Sequence, residues 1–187
     1  MFVSFIGCLI KYDKWELIGK LLSKDLLVDK DRHGGFHPFQ EISQYIDSLD
    51  RIRNSRLKSN RTSITADILN EHFSQDQIKR ILTHQEFMEA DFFLFSRCKY
   101  HLIKDPSVRG WNPISCVYLK RVPNFLLISE SSEFLSRLMI ASKIDDKTQW
   151  IDCIKAIKTE ALSSFSPMQS LYRTMYSYDP DKIGTRP

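Results

Sequence analysis

The sequence has few glycines, few cysteines and only a small excess of positive charge, and these shortages exclude several classes of protein. Its six glycines among 187 residues form no glycine-rich loop of the kind that surrounds a phosphate group. The four cysteines stand far apart, which excludes a paired zinc site and a small disulfide scaffold. We therefore expect reduced core thiols in a cytoplasmic protein, at Cys8, Cys98, Cys116 and Cys153.

The sequence also predicts no membrane-spanning segment and no export signal. Residues 2–10 are apolar, but a stretch of about ten residues is too short to cross a bilayer. It has neither the basic region nor the small-residue cleavage site of a signal peptide. The sequence thus predicts a buried first helix and no membrane partner.

The composition is that of a folded domain. Hydrophobic residues make up 42%, aromatic residues 12% and charged residues 27% of the chain, which allows a substantial core and argues against disorder. The net charge of +4 is compatible with an acidic partner but does not indicate one. We expect a single helical domain over residues 1–162 and a C-terminal extension or tail over 163–187, where serine, tyrosine and proline become frequent.

Apolar residues recur at helical spacing through most of the chain, which predicts a mainly α, compact multi-helix domain. Residues 84–97 are apolar almost all round, as is typical of a helix at the centre of a core. Ser63 is a candidate N-cap, and Ser74–Gln77 and Thr83–Glu86 both fit the capping box that opens a helix. Residues 29–38 contain two glycines and a proline and are predicted to be a loop. Helices are predicted over 2–11, 13–24, 39–58, a short stretch from 64, stretches starting near 75 and 84, 131–142 and 146–162.

The clearest periodicity lies in residues 39–58. Apolar residues there follow the i, i+3, i+7 progression of one buried helical stripe. They occupy positions 39, 42, 45 or 46, 49, 52 and 57. We expect an amphipathic helix whose C-terminal end runs into a basic stretch.

Two short apolar runs, Val117–Leu119 and Phe125–Ile128, flank a segment that contains Pro123. Runs of this length fit either two short strands or a helical hairpin. We expect a small β-hairpin near residues 116–128, with the helical hairpin as the alternative.

The basic stretch is the strongest candidate for a binding site. Five cationic side chains in eleven residues are interleaved with amides and hydroxyls, which are the groups that contact phosphates. They are Arg51, Arg53, Arg56, Lys58 and Arg61. Cations are also favoured at a helix C-terminus, and Asp47 and Asp50 are placed to pair with Arg51 or Arg53. Nucleic-acid binding, a solvated helix end and a protein interface therefore remain alternatives.

The pair Arg53–Asn54 resembles part of the signature of the helical ribonucleases called HEPN domains. In that signature a histidine follows the arginine by about four to six residues on the same helix, and the resemblance implies metal-independent RNA cleavage. Lys58 occupies the position of that histidine, so the imidazole needed for general acid-base chemistry is missing there. Arg32 and His37 have the required spacing but stand in the predicted loop.

The remaining polar residues identify no reaction. His33 and His37 have the spacing of two ligands on one helical face, but the glycines between them break a helix, so we predict no metal and no cofactor. Asp91 stands within the most apolar helix and is a candidate catalytic acid, or a structural partner of Arg97 or Arg121. Trp111 on a proline-containing loop is either a platform for bases or a core anchor.

These observations favour a non-catalytic protein, although an enzyme is not excluded. We expect a helical accessory or adaptor subunit that binds a partner protein or a second copy of itself, with a nucleic-acid-processing or defence complex as its setting. The alternatives are a nucleic-acid-binding protein that uses residues 51–61 and a HEPN-like ribonuclease.

Overall fold

The computed structural model confirms a mainly α-helical protein. It describes residues 2–24, 26–28, 35–37, 39, 47–58, 63–108, 110–163 and 174–187, and of these only the backbone for 26–28, 35–37, 47–49 and 161–163. The helices are α1 (Phe2–Lys11), α2 (Trp15–Leu22), α3 (Asp47–Leu57), α4 (Ile64–His72), α5 (Asp76–Lys79), α6 (His84–Lys104), α7 (Asn124–Ile128), α8 (Ser132–Ser142) and α9 (Lys147–Ser163). Two 3-10 helices cover Ile114–Tyr118 and Pro180–Lys182.

Helix α6 is the centre of the core, as predicted. It begins at the capping box, in which the Thr83 hydroxyl accepts the Glu86 amide at 3.2 Å and the Glu86 carboxylate accepts the Thr83 amide at 2.7 Å. Phe92, Phe93 and Leu94 are fully buried, so this helix has almost no solvent-facing side in its middle. Helices α1 and α9 pack against it. The apolar pattern thus accounts for both the helical structure of α6 and its burial in the core.

Helices α2 and α8 form a second packed pair. Trp15 at the start of α2 makes edge-to-face contacts with Phe93 of α6 and Phe134 of α8, which is a favoured geometry for aromatic rings. Further along, a Cβ atom on Gly19 would lie 3.0 Å from the Cα atom of Ala141. The two backbones therefore approach closely because residue 19 has no side chain.

Two predictions are wrong, the β-hairpin near residues 116–128 and part of the loop over residues 29–38. The predicted hairpin near residues 116–128 is instead the 3-10 helix Ile114–Tyr118 followed by α7. Pro123 lies at the N-cap of α7, where its fixed φ angle and missing amide hydrogen favour a helix start. A short antiparallel pair is found elsewhere, between β1 (Leu26–Val28) and β2 (Gly35–His37), so part of the predicted loop is a strand.

The predicted helix over 39–58 is described only in its second half. Its described part is α3, from Asp47 to Leu57, and residues 40–46 lie outside the described chain. The prediction of a buried apolar stripe is wrong for its last two positions, because Ile52 and Leu57 are 54% and 68% exposed. Phe39, the first position, is buried, so periodicity alone did not separate core positions from surface ones.

The capping predictions have mixed outcomes. Ser63 caps α4 by accepting the Ala66 amide, which confirms the prediction. The predicted box at Ser74 is wrong, because the N-cap of α5 is Gln75 and the Ser74 hydroxyl donates back to the Asn70 carbonyl at 2.7 Å. A serine can bond backward to the preceding turn as readily as forward to the next.

The C-terminal residues 174–187 are packed on the domain and are not a free tail. Met175 and Ile183 are fully buried in the main core. The Gly184 amide donates to the Ser129 carbonyl at 2.7 Å, and Arg186 forms a parallel bridge with Ser131. The domain boundary at residue 162 stays a prediction.

The four cysteines carry free thiols; Cys98, Cys116 and Cys153 are buried and Cys8 is half-buried. Burial raises the pKa of Cys98 and of Cys153 to about 12, which keeps both thiols protonated and unreactive near neutral pH. Throughout the described ranges, every helix is too short or too polar to cross a bilayer.

Candidate interaction surface on helix α3

A buried carboxylate fixes α3 against the start of α4. Asp50 accepts the Ser63 hydroxyl at 2.8 Å, the Thr65 hydroxyl at 2.9 Å and the Thr65 amide at 3.3 Å. Arg53 lies one turn later, and its Nη1 atom is 3.9 Å from the Asp50 Oδ1 atom. The predicted pairing of Asp50 with Arg53 is thus confirmed, although the hydroxyls of the α4 cap make the closer contacts.

The side chains that α3 turns to solvent include both cationic and large apolar residues. At about 100° per residue, Arg53 and Arg56 lie about 60° apart on one face, with Ile52 and Leu57 on its two edges. All four side chains are exposed. We call these four residues the α3 surface. Arg51 is also exposed but lies about 140° around the helix axis from Arg56, so the predicted cluster does not share a single face.

The end of α3 changes the direction of the chain at Lys58. Its φ angle of 48° is in the left-handed region, which terminates a helix and strongly favours glycine. Arg61 lies outside the described residues. The position that a HEPN signature would give to a histidine is therefore a lysine outside the helix. The guanidinium of Arg53 contacts Asp50 and Thr65.

Replacing Lys58 by glycine is expected to raise the free energy of unfolding by about 1 kcal/mol, because a side chain in the left-handed region costs about that much. Urea unfolding of the two proteins measures the difference. Lys58→Ala is the matched control, since it removes the same charge but keeps a Cβ atom, and it should bring no gain. Equal stability of the glycine and alanine variants would contradict the described helix end.

Asp91 is a structural residue. Its carboxylate accepts the Trp111 indole at 2.7 Å, the Ser115 amide at 3.0 Å and the Ser115 hydroxyl at 2.6 Å. Burial raises the pKa of Asp91, and these three donors oppose the rise. The prediction of Arg97 or Arg121 as its partner is wrong. Because every contact holds the 111–115 segment onto α6, the carboxylate has no described partner for acid-base catalysis.

Trp111 is a core anchor, and the alternative of a platform for bases is wrong. The indole is buried and lies against the rings of Phe2 and Phe39. Arg97 lies over the Phe39 ring, with its guanidinium carbon 5.2 Å from the ring centre. Burial lowers the pKa of Arg97, and the ring contact partly replaces the lost hydration of the cation.

The histidine side chains that the structure describes do not converge on a metal site. Within the described chain, no group of three histidine, cysteine or acidic side chains could hold an ion. His84 stacks on Phe73, and its ring lies close to Tyr118; burial lowers its pKa. His101 contacts the Ser142 carbonyl at 3.0 Å. His33 lies outside the described residues, and only the backbone of His37 is described.

A polar cleft of about 300 Å³ between α1 and α6 was not predicted from the sequence. Three of its charged groups have contacts within the protein. Lys11 donates to the Glu86 carboxylate at 3.3 Å and to the Ile81 carbonyl at 3.0 Å, and Glu89 accepts the Gln85 amide at 3.2 Å. Burial raises the pKa of Glu89. The cleft residues thus hold α1 to α6, and no nucleophile lines the cleft beside them.

No protein-family model, curated protein or solved structure matches the chain. The structure shows a helical protein whose α3 presents arginines and large apolar side chains to solvent.

Proposed function

We propose that this protein is a non-catalytic helical accessory subunit that binds a partner protein through the α3 surface. The exposure of Ile52 and Leu57 beside Arg53 and Arg56 supports the proposal. Arginine and large apolar side chains are characteristic of protein interfaces, because both bury area and the guanidinium also binds carboxylates. A complementary partner would present acidic side chains flanked by apolar ones.

The local structure favours a binding role over a merely solvated helix end. A solvated end needs only the cations, which are stabilised by the helix dipole. Two branched apolar side chains with more than half of their area exposed gain nothing from that position. The Asp50 contacts with Ser63 and Thr65 hold the helix in place before binding, which lowers the entropy cost of association.

The test separates the apolar and cationic contributions. We expect Ile52→Ser/Leu57→Ser and Arg53→Gln/Arg56→Gln each to weaken the native complex by about tenfold or more. Affinity is measured by surface plasmon resonance with the partner isolated from the native host. Ile103→Ser is the matched control, because Ile103 is an exposed isoleucine on α6. Unchanged affinity in both double variants would overturn the assignment to α3.

Nucleic-acid binding through the same arginines is the second candidate, supported by the exposure of Arg51, Arg53 and Arg56. It makes a different prediction. Affinity for an RNA or DNA duplex would fall steeply with salt and with Arg53→Gln/Arg56→Gln, because phosphate contacts release counterions. The Ile52→Ser/Leu57→Ser variant would bind normally. A fluorescence anisotropy titration at two salt concentrations distinguishes this pattern from protein binding.

A further inference from the structure

A groove runs between α2 and α8, outside the α3 surface. Two adjoining cavities of about 360 and 600 Å³ form it, and Glu16, Ile140 and Ala141 line both. The close approach of Gly19 to Ala141 brings the two helix backbones together at its floor. On the α2 side, the residues that line the groove run from Asp13 to Lys24. At the rise of an α-helix this span is about 16 Å long, or about three turns.

The wall of the groove contains the most exposed large apolar side chain in the described part of the chain. Ile140 of α8 is 78% exposed, and Leu17 of α2 is about half exposed. Both are on packed helices, so their positions are fixed. The groove therefore offers a rigid apolar strip on which a helix face can pack.

The two ends of the groove differ in charge. At one end, Asp13 and Arg137 neutralise each other, with their Oδ2 and Nη1 atoms 2.7 Å apart. At the other end, Lys20, Lys24 and Lys143 line the cavity with a single carboxylate, that of Glu16, so positive charge is in excess there. No described carboxylate lies within ion-pair distance of these three ammonium groups. This end is therefore complementary to an acidic ligand.

The backbone of Lys143 has a conformation that favours glycine. It follows the C-terminus of α8 with a φ angle of 54°, and glycine is the usual residue at such a position. A lysine there costs some stability, and strain of this kind often accompanies a functional role. Its ammonium group, on the cavity of the lysine-rich end, is consistent with that role.

We propose that the α2–α8 groove binds an amphipathic helix of a partner protein, about three turns long, whose apolar stripe packs on Leu17 and Ile140. Acidic residues of that helix lie at the end formed by Lys20, Lys24 and Lys143. The proposal gives the protein a second binding site, so that it could bridge two partners. It does not rest on the α3 surface, because the two sites share no residue.

The test uses the full chain and a synthetic probe. The probe is a fluorescein-labelled helical peptide of about 14 residues, with leucines at i, i+3, i+4 and i+7 and glutamates on its polar face. We expect Ile140→Glu to weaken binding by at least about tenfold in fluorescence anisotropy. Ile68→Glu, on α4, is the matched control because Ile68 is also exposed, and it should bind like the unchanged protein.

Lys143→Gly keeps the test independent of folding. We expect this variant to unfold at a higher urea concentration and yet to bind the peptide several-fold more weakly. A version of the peptide with glutamine in place of glutamate should also bind more weakly. Equal binding by Ile140→Glu, equal binding of the glutamine peptide, or self-association through Ile140 in light scattering would overturn the proposal. None of these outcomes depends on the α3 variants.

Discussion

Replacing Asp91 by alanine is expected to lower the free energy of unfolding by about 3 to 5 kcal/mol. The carboxylate accepts three hydrogen bonds in the core, from the Trp111 indole and from the amide and hydroxyl of Ser115. Removing it leaves those three donors buried without an acceptor and opens a space beside them. Urea unfolding followed by circular dichroism measures the loss.

Asp91→Asn is the matched control for this experiment. Asparagine keeps the shape and one acceptor oxygen, but its amide group faces a donor, so we expect about half of the loss. Trp111→Phe removes one of the donors and should make the alanine substitution less costly, since the two residues share a bond. Unchanged stability in Asp91→Ala would contradict the structural role of the carboxylate.

The pH dependence of the same variants provides a further check. Because burial raises the pKa of Asp91, the folded protein holds this proton more tightly than the unfolded chain does. The contribution of the carboxyl group is therefore fully present below its unfolded pKa and declines as the pH rises through the folded value. The stability advantage of the unchanged protein over Asp91→Asn should shrink from pH 4 towards neutrality.

Replacing Ile183 by alanine is expected to lower the free energy of unfolding by about 2 to 4 kcal/mol. The side chain is fully buried in the main core, and the segment around it is bonded to the turn after α7 through Gly184 and Arg186. Lys182→Ala, at an exposed neighbour, is the control and should change stability by less than about 0.5 kcal/mol. Equal effects of the two substitutions would show that the C-terminus is not part of the core.

The helices were predictable because their patterns are long. Helix α6 combines a capping box with a run of apolar residues, and α8 and α9 are amphipathic over at least three turns, so local signals suffice for all three. The error at residues 116–128 has the opposite cause. A run of four or five apolar residues fits a strand and a helix equally well, and the choice depends on packing against α6 and α4.

The long-range contacts were not predictable. Ile183 is a single apolar residue in a polar stretch, and nothing near it in the sequence indicates a place in the core. The partner of Asp91 was expected to be an arginine, but it is Trp111 with Ser115, 20 and 24 residues further along the chain. Such pairings depend on the tertiary fold, which spacing along the chain does not encode.

The candidate site was predicted in part. The cationic cluster of α3 follows directly from the sequence, and four of its five members lie in the described chain. Ile52 and Leu57 were assigned to the buried stripe because they continue its period, and their exposure shows that this part of the stripe has no core to pack against. That difference shifts the interpretation from a basic helix end to a mixed surface that suits a protein partner.

The most direct test of the proposed function is the mass of the native assembly. The tagged full chain is purified from its native host and analysed by size exclusion with light scattering, beside the Arg53→Gln/Arg56→Gln variant. The proposal predicts a complex heavier than the 22.0 kDa chain that contains a second protein, and loss of that protein from the variant. A partnerless 22.0 kDa monomer, or an equally loaded variant, would contradict it.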